Sequence, residues 1–335
     1  MNLKKLKFLS AIRIWIIDFF TDQKIINKRM KYMAKGKKLL FSLFRLAVIL
    51  GIGYAILGPI IGIISSSFFS DTDRYDPMVF LIPKIPTLMR YDLAIARLEY
   101  FKTLGKTTLY VLGLTGIQVW VCALVGYGFA RFEFPLKKIL FGCVIIMIVF
   151  PAHSIMLPIY MLFREFDVFG IINLIAKKPL NLLGTPVPMY IMTMFATGLR
   201  SGLYIFIFNQ FFRGIPKELE ESAQVDGANA FFTYLRVMLP CAVPAIVTVS
   251  IFSLVWQYND TFYAKLFLID PSIVLSKRIT TLEDTILNND QVRDPAIMTL
   301  YVNAGVVLAM IPIVLFYIIL QKQFIEGVEQ SGIVG

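Results

Sequence analysis

The sequence predicts an all-α polytopic membrane protein with six transmembrane helices and a cytoplasmic helix–turn–helix. Two observations carry that class. Of 335 residues, 57% are hydrophobic and 16% charged, whereas soluble globular domains are about 25% charged. The apolar residues also collect into uncharged runs, 107–130, 139–163, 179–199, 237–259 and 295–321, and a further run, 39–69, holds only Arg45. About 20 apolar residues suffice for a helix to cross a bilayer. Six such runs in one chain argue against a soluble protein with buried helices.

The elements follow in order. Residues 1–38 are rich in lysine. Arg13 and Asp18 interrupt their apolar stretch and no small-residue cleavage site follows, so they read as a basic amphipathic extension on the inner membrane surface. Residues 39–335 form the transmembrane domain, with spans at 43–67, 107–130, 139–162, 187–212, 238–260 and 297–321. Arg200 divides the fourth. Pro151 and Pro158 lie in the third span and Pro240 and Pro244 open the fifth, where neighbouring helices must re-satisfy the freed backbone groups. With both termini inside, the cytoplasmic segments carry 19 Lys and Arg and the external ones 13, the orientation that the positive-inside rule favours. The net charge of +11 is thus a membrane-surface and topology feature. No basic patch interleaves with aromatics, so no nucleic-acid partner is expected.

Several apparent signals of chemistry dissolve on inspection. Cys122, Cys143 and Cys241 have no metal-binding spacing and read as small packing residues. His153, the only histidine, sits beside Pro151 and reads as a kink or cavity-lining residue. Gly105-Lys106-Thr107-Thr108 resembles the end of a phosphate loop. The glycine such a loop needs five residues earlier is Tyr100, so the chain is expected to bind no nucleotide or other cofactor. "DTDRYD", residues 71–76, lacks the Gly and Glu of a calcium loop and reads as a solvated external loop.

The polar segment 213–239 differs from everything around it. Pro216 is followed by Glu218, Glu220 and Glu221, which suit a helix N-terminus. Leu219 and Ala223 share a face, and Asp226-Gly227 breaks the helix. A second helix begins near Ala228, with Phe231, Phe232, Leu235, Met238 and Leu239 as its apolar stripe, and Pro240 leads into the fifth span. Either a docking surface for a partner groove or a loop lying on the bilayer satisfies this pattern.

Glu221-Ser222-Ala223, Asp226-Gly227 and Leu239-Pro240 resemble the "EAA" signature of ABC-importer permeases, with Ser222 where Ala is usual. "ALVGYGFARFEFP" at 123–135, "MIVFPAHSIMLPIYMLFREFDVFGIIN" at 147–173, "SLVWQYNDTFYAKLFL" at 253–268 and "QKQFIEGVEQSGIVG" at 321–335 are similar to further segments of the maltose-transporter type. The resemblance covers roughly residues 40–335.

It implies a bacterial cell-membrane permease subunit that imports a sugar or oligosaccharide. The implied partners are a second homologous permease, two cytoplasmic ATPase subunits that bind ATP and Mg, an external solute-binding protein and membrane lipid. Leu219, Glu221, Ser222, Ala223, Asp226, Gly227, Leu239 and Pro240 become ATPase-coupling residues, and residues 327–335 of the tail 322–335 a further ATPase contact. Trp256, Gln257, Asn259 and Asp260 become candidates for the solute path, since sugars bind by aromatic stacking plus hydrogen bonds. A non-sugar importer is the alternative. A secondary transporter would require internal repeats and ion-coupling charges that the sequence does not display.

Overall fold

The computed structural model describes residues 23–168 and 170–332, all of it helix, turn and loop apart from one isolated bridge, Phe166 with Leu180. The chain divides into two compact units, residues 1–62 and 63–335. Within the first, the described part is helical, the greater length of α1 (Gln23–Ser66), with Leu40, Phe44 and Leu50 exposed. The part of the expected amphipathic extension before residue 23, and residues 333–335 of the tail, lie outside the described residues.

The second unit begins with two short helices, α2 (Asp71–Tyr75) and α3 (Met89–Leu98), before the long α4 (Tyr100–Arg131). At 1.5 Å per residue, α4 is about 48 Å long, more than the roughly 30 Å of a hydrocarbon core. Next come α5 (Lys137–Val149), a 3-10 turn (Ala152–Ile155), α6 (Met156–Arg164), α7 (Ile171–Ala176), α8 (Val187–Met194) and α9 (Ser201–Gly214). The polar loop forms α10 (Glu218–Val225), α11 (Ala230–Thr233), a π-helical turn (Tyr234–Met238) and α12 (Leu239–Cys241). The chain ends with α13 (Val243–Asn259), α14 (Phe262–Leu266), α15 (Leu275–Thr280), α16 (Leu282–Asp290) and α17 (Pro295–Gly332).

Among the described residues, three helical stretches are long and apolar enough to cross a membrane: Met30–Ser66, Tyr100–Arg131 and Pro295–Ile319. Counting each bent pair as one span gives up to five. Lys137–Val149 meets Ala152–Arg164 at 105°, and Ala230–Cys241 meets Val243–Asn259 at 76°. Pro151 and Pro244 lie just past these breaks, where a missing N–H does least harm.

The expected fourth span, 187–212, is two helices parted at 195–200. Ala196 and Arg200 there adopt left-handed backbone, φ 58° and 61°, at roughly 1–2 kcal/mol each for L-residues. The expected solvated loop at 71–76 also differs from expectation. Ser70 and Asp73 form a capping box, and Asp73 is buried, accepting from the N–H groups of Ser70, Lys84 and Ile85 at 3.3, 3.3 and 3.1 Å. Burial pushes its carboxyl up, but the bonds from Ile85, Ser70 and Lys84 win, and it stays below the usual range.

One hydrophobic cluster packs α4 on α9 and on the π-turn, through Tyr127, Tyr204, Phe208, Phe212, Tyr234 and Met238. Gly126 allows that approach: a Cβ there would stand 2.6 Å from Phe208 Cβ. Small residues let helix backbones approach in membranes, where the hydrophobic effect does not drive helices together. A second cluster joins Tyr110 and Leu114 of α4 to Met189, Tyr263 and Phe267. The third joins Leu98 to Leu282, Ile286 and Tyr301.

Candidate functional site: a surface loop and a cavity on one helix

The polar loop has a defined backbone. Helix α10 ends with Gly227 at φ +84°. The Ala228 N–H donates to Ala223 O and the Gly227 N–H to Gln224 O, both at 3.0 Å, the paired bonds that close a helix on a left-handed glycine. Asn229 Oδ1 then accepts from the Phe232 N–H at 2.9 Å and starts α11, two residues later than Ala228. Leu219, Glu221, Ser222, Asp226 and Gly227 are exposed and Ala223 is half-buried, so these six form one surface segment. Leu239 and Pro240 stand apart, beyond the π-turn. Leu239 packs on the core and Pro240 is exposed. The apolar stripe divides too: Phe231 and Phe232 are exposed, while Met238 is wholly buried.

Two residues that fix this loop are absent from the sequence-derived set. Arg131 at the end of α4 pairs with Glu220 at 3.3 Å, with side chains only 6% and 12% exposed. The Arg131 guanidinium also donates to Ile215 O at 2.5 Å. The α4 end therefore holds both the start of the loop and its first helix.

On the same helix, Gln118 organises a buried polar network. Its Nε2 donates to Leu199 O at 2.6 Å and Ser201 Oγ at 3.1 Å. Its Oε1 accepts from Ser253 Oγ at 2.8 Å and Gln257 Nε2 at 3.0 Å. One side chain thus ties α4 to the break at 195–200 and to α13. Gln257 is 1% exposed and is occupied here rather than lining the cavity beside it.

That cavity, about 1020 Å³, lies among the bend at 146–153, the segment 195–203 and the end of α13. Its wall includes His153, Arg200, Trp256, Asn259 and Asp260. Trp256 remains 42% exposed, with the Arg200 guanidinium 4.3 Å above its ring. Asn259 is exposed and its Nδ2 donates back to Val255 O at 3.0 Å. Asp260 caps α14, accepting from the N–H groups of Tyr263 and Ala264, each at 3.2 Å. His153 packs its ring 4.4 Å from Phe262. Arg200 is the wall residue the sequence reading passed over; a cation midway along an apolar run was its signal.

The "GKTT" residues lie inside α4. Lys106 Nζ donates to Ser272 Oγ at 3.1 Å and Thr107 Oγ1 to Ile273 O at 2.8 Å, so both side chains join α4 to the loop before α15. Among the described residues no group of three or more His, Cys, Asp or Glu side chains could hold a metal ion. Cys122 is buried as expected of a packing residue, whereas Cys143 and Cys241 are exposed.

Long apolar helices, broken helices around a cavity and a polar helical loop tied to one span define a multi-pass membrane permease. Residues 122–330 match the family described as "Binding-protein-dependent transport system inner membrane component", and the chain belongs to that family. It is the permease component of an ABC importer, a component distinct from the catalytic subunit. Protein LplC of Bacillus subtilis (strain 168) is 25% identical over 85% of this chain and 92% of its own length. Trehalose transport system permease protein SugB of Mycobacterium tuberculosis is 29% identical over 85% of this chain and 94% of its own. A chain of a bacterial ABC transporter involved in the import of the acidic polysaccharide alginate shares the fold, at TM-score 0.64 and 20% identity, over 86% of this chain and 98% of that one.

Proposed function

We propose that this permease moves a sugar or oligosaccharide inward by ATP-driven alternating access. The observation that carries the reading is the cavity wall, an exposed Trp256 beside Asn259 at a helix break: an aromatic face with adjacent hydrogen-bonding groups suits a saccharide. The trehalose permease likeness supports the same substrate class. Trp256, Asn259 and Asp260 line the solute path in this proposal, and Gln257 holds the path wall through Gln118.

The chain crosses the membrane six times with both ends inside, 187–212 serving as a broken fourth span. It pairs with a second, homologous permease, and an external binding protein delivers solute. Two ATPase subunits, carrying ATP and Mg, dock on the loop at Leu219, Glu221, Ser222, Ala223, Asp226 and Gly227. Leu239 and Pro240 hinge that loop to the fifth span, and residues 327–335 of the tail add a second ATPase contact. Closing of the ATPase pair draws the loops together and rocks the spans between inward-open and outward-open states.

Proteoliposomes holding the complete complex test this. Uptake of labelled trehalose or maltotriose is expected to require ATP on the ATPase side and the binding protein on the other, and to persist when ionophores collapse ion gradients. Uptake abolished by ionophore at full ATP, or ATP-driven uptake of amino acids without saccharides, would contradict the reading.

A further inference from the structure

Arg200 has an unusual position for a cation. In the sequence, it and Arg45, at the inner edge of the first span, are the only Lys or Arg residues within the six predicted spans. An ionisable group inside a membrane segment is costly and marks function by default. The structure places Arg200 on the cavity wall, in left-handed backbone at φ 61°. It forms no ion pair among the described residues. Its guanidinium lies instead over the Trp256 ring, 4.3 Å from the centroid, a contact that holds the group without neutralising it.

The other charged side chain of the wall is Asp260. Its two oxygens are directed to the N–H groups of Tyr263 and Ala264. Asp260 is thus engaged in capping α14, while the donors of Arg200 remain available to a guest. Most of the remaining wall is aliphatic or aromatic: Ile146, Ile159, Met192, Phe195 and Phe262 among it. Arg200 is exposed on that wall, and a cation there without a counter-charge attracts an incoming anion.

Resting on the carbohydrate-path reading, the geometry points to a carboxylate-bearing saccharide, a uronate oligosaccharide, as the solute, with Arg200 receiving its carboxylate. A guanidinium presents paired donors that match the two oxygens of a carboxylate. Trp256 supports the guanidinium plane and offers the rest of its exposed face to the sugar ring. Asn259, on the same wall, supplies polar contact to hydroxyls.

The test uses the complete complex in lipid nanodiscs, with trigalacturonate and maltotriose as probes. Binding is followed by the change in Trp256 fluorescence, assigned by its disappearance in Trp256→Phe. Trigalacturonate is expected to bind the wild type, and Arg200→Gln to weaken it by about tenfold or more, the scale of a lost charge-assisted hydrogen bond. Arg200→Lys should recover part of that loss. Maltotriose binding, if present in the wild type, should change little in Arg200→Gln, which also shows that the variant is folded. Equal trigalacturonate affinity in wild type and Arg200→Gln overturns the inference, as does binding of maltotriose alone. The latter leaves the carbohydrate path standing. Failure of both saccharides to perturb Trp256 overturns the path reading and the inference together.

Discussion

Arg131, the last residue of α4, and Glu220, in the first turn of α10, form an ion pair at 3.3 Å with both side chains almost entirely buried. The surface loop is therefore not a free connector. It is fastened to the C-terminal end of the helix whose Gln118, about 20 Å further along at 1.5 Å per residue, holds the break at 195–200 and helix α13. A displacement of α10 has a direct route to the cavity wall.

Removing one member of a buried pair leaves the other charge uncompensated, at roughly 3–5 kcal/mol. Glu220→Ala should lower the thermal midpoint of the purified complex and reduce uptake sharply. Combining it with Arg131→Met should restore stability beyond either single change, while uptake stays low. Wild-type stability and uptake in Glu220→Ala would show that the pair fastens nothing.

Gly227 carries a second expectation. A Cβ there would meet nothing within 4 Å, so the cost of substitution is the backbone at φ +84°, not a clash. Gly227→Val should cost on the order of 1–3 kcal/mol locally and abolish uptake while insertion proceeds normally. Gly227→Asn, which tolerates the left-handed region, should retain most uptake. Equal uptake in Val and Asn variants would detach the loop's geometry from its role.

Gln118→Leu leaves the Gln257 amide donor and the Leu199 carbonyl without their partner, while Ser253 Oγ keeps Thr115 Oγ1 at 3.2 Å. Each unsatisfied buried group costs about 1–3 kcal/mol. Gln257→Leu removes one bond only, along with an Oε1 that has no partner of its own. The first variant should therefore be much less heat-stable than the second. Similar losses in the two would contradict the central place of Gln118.

Orientation is checked by single cysteines in a background lacking the three native ones. Met78 and Asp284 are exposed and should react with an impermeant thiol reagent from outside. Glu221 should react only after permeabilisation. External labelling at Glu221 would reverse the proposed topology.

These residues also show what the sequence discloses. Uncharged runs at 107–130 and 295–321 map onto single long helices because length and polarity alone decide whether a helix crosses a bilayer. Asp226-Gly227 was legible as a break because few residues tolerate its backbone. The break at 195–200 was not: α8 closes there by local bonds, the Thr197 N–H donating to Met192 O at 2.8 Å and the Ala196 N–H to Thr193 O at 3.1 Å, with an alanine rather than a glycine in the left-handed position, and the Leu199 carbonyl is taken by Gln118 on another helix. Glu220 reads as a solvent-facing acid beside Glu218 and Glu221, and nothing local reveals that Arg131 draws it inward. Gln257 looked like path chemistry for the same reason: its partner is remote in sequence.

In the proposed mechanism, ATPase force enters this subunit at the segment 219–227. Ala223, half-buried on α10, tests it most directly. Ala223→Asp would place a charge in the proposed docking face while keeping both members of the Arg131–Glu220 pair present. The measurement is the amount of ATPase subunit that co-purifies with the tagged permease pair, read together with binding-protein-stimulated ATP hydrolysis. Normal membrane levels of the variant are expected, with loss of most of the co-purifying ATPase and a matching loss of stimulated hydrolysis. Full retention of the ATPase with unchanged stimulation would contradict that mechanism.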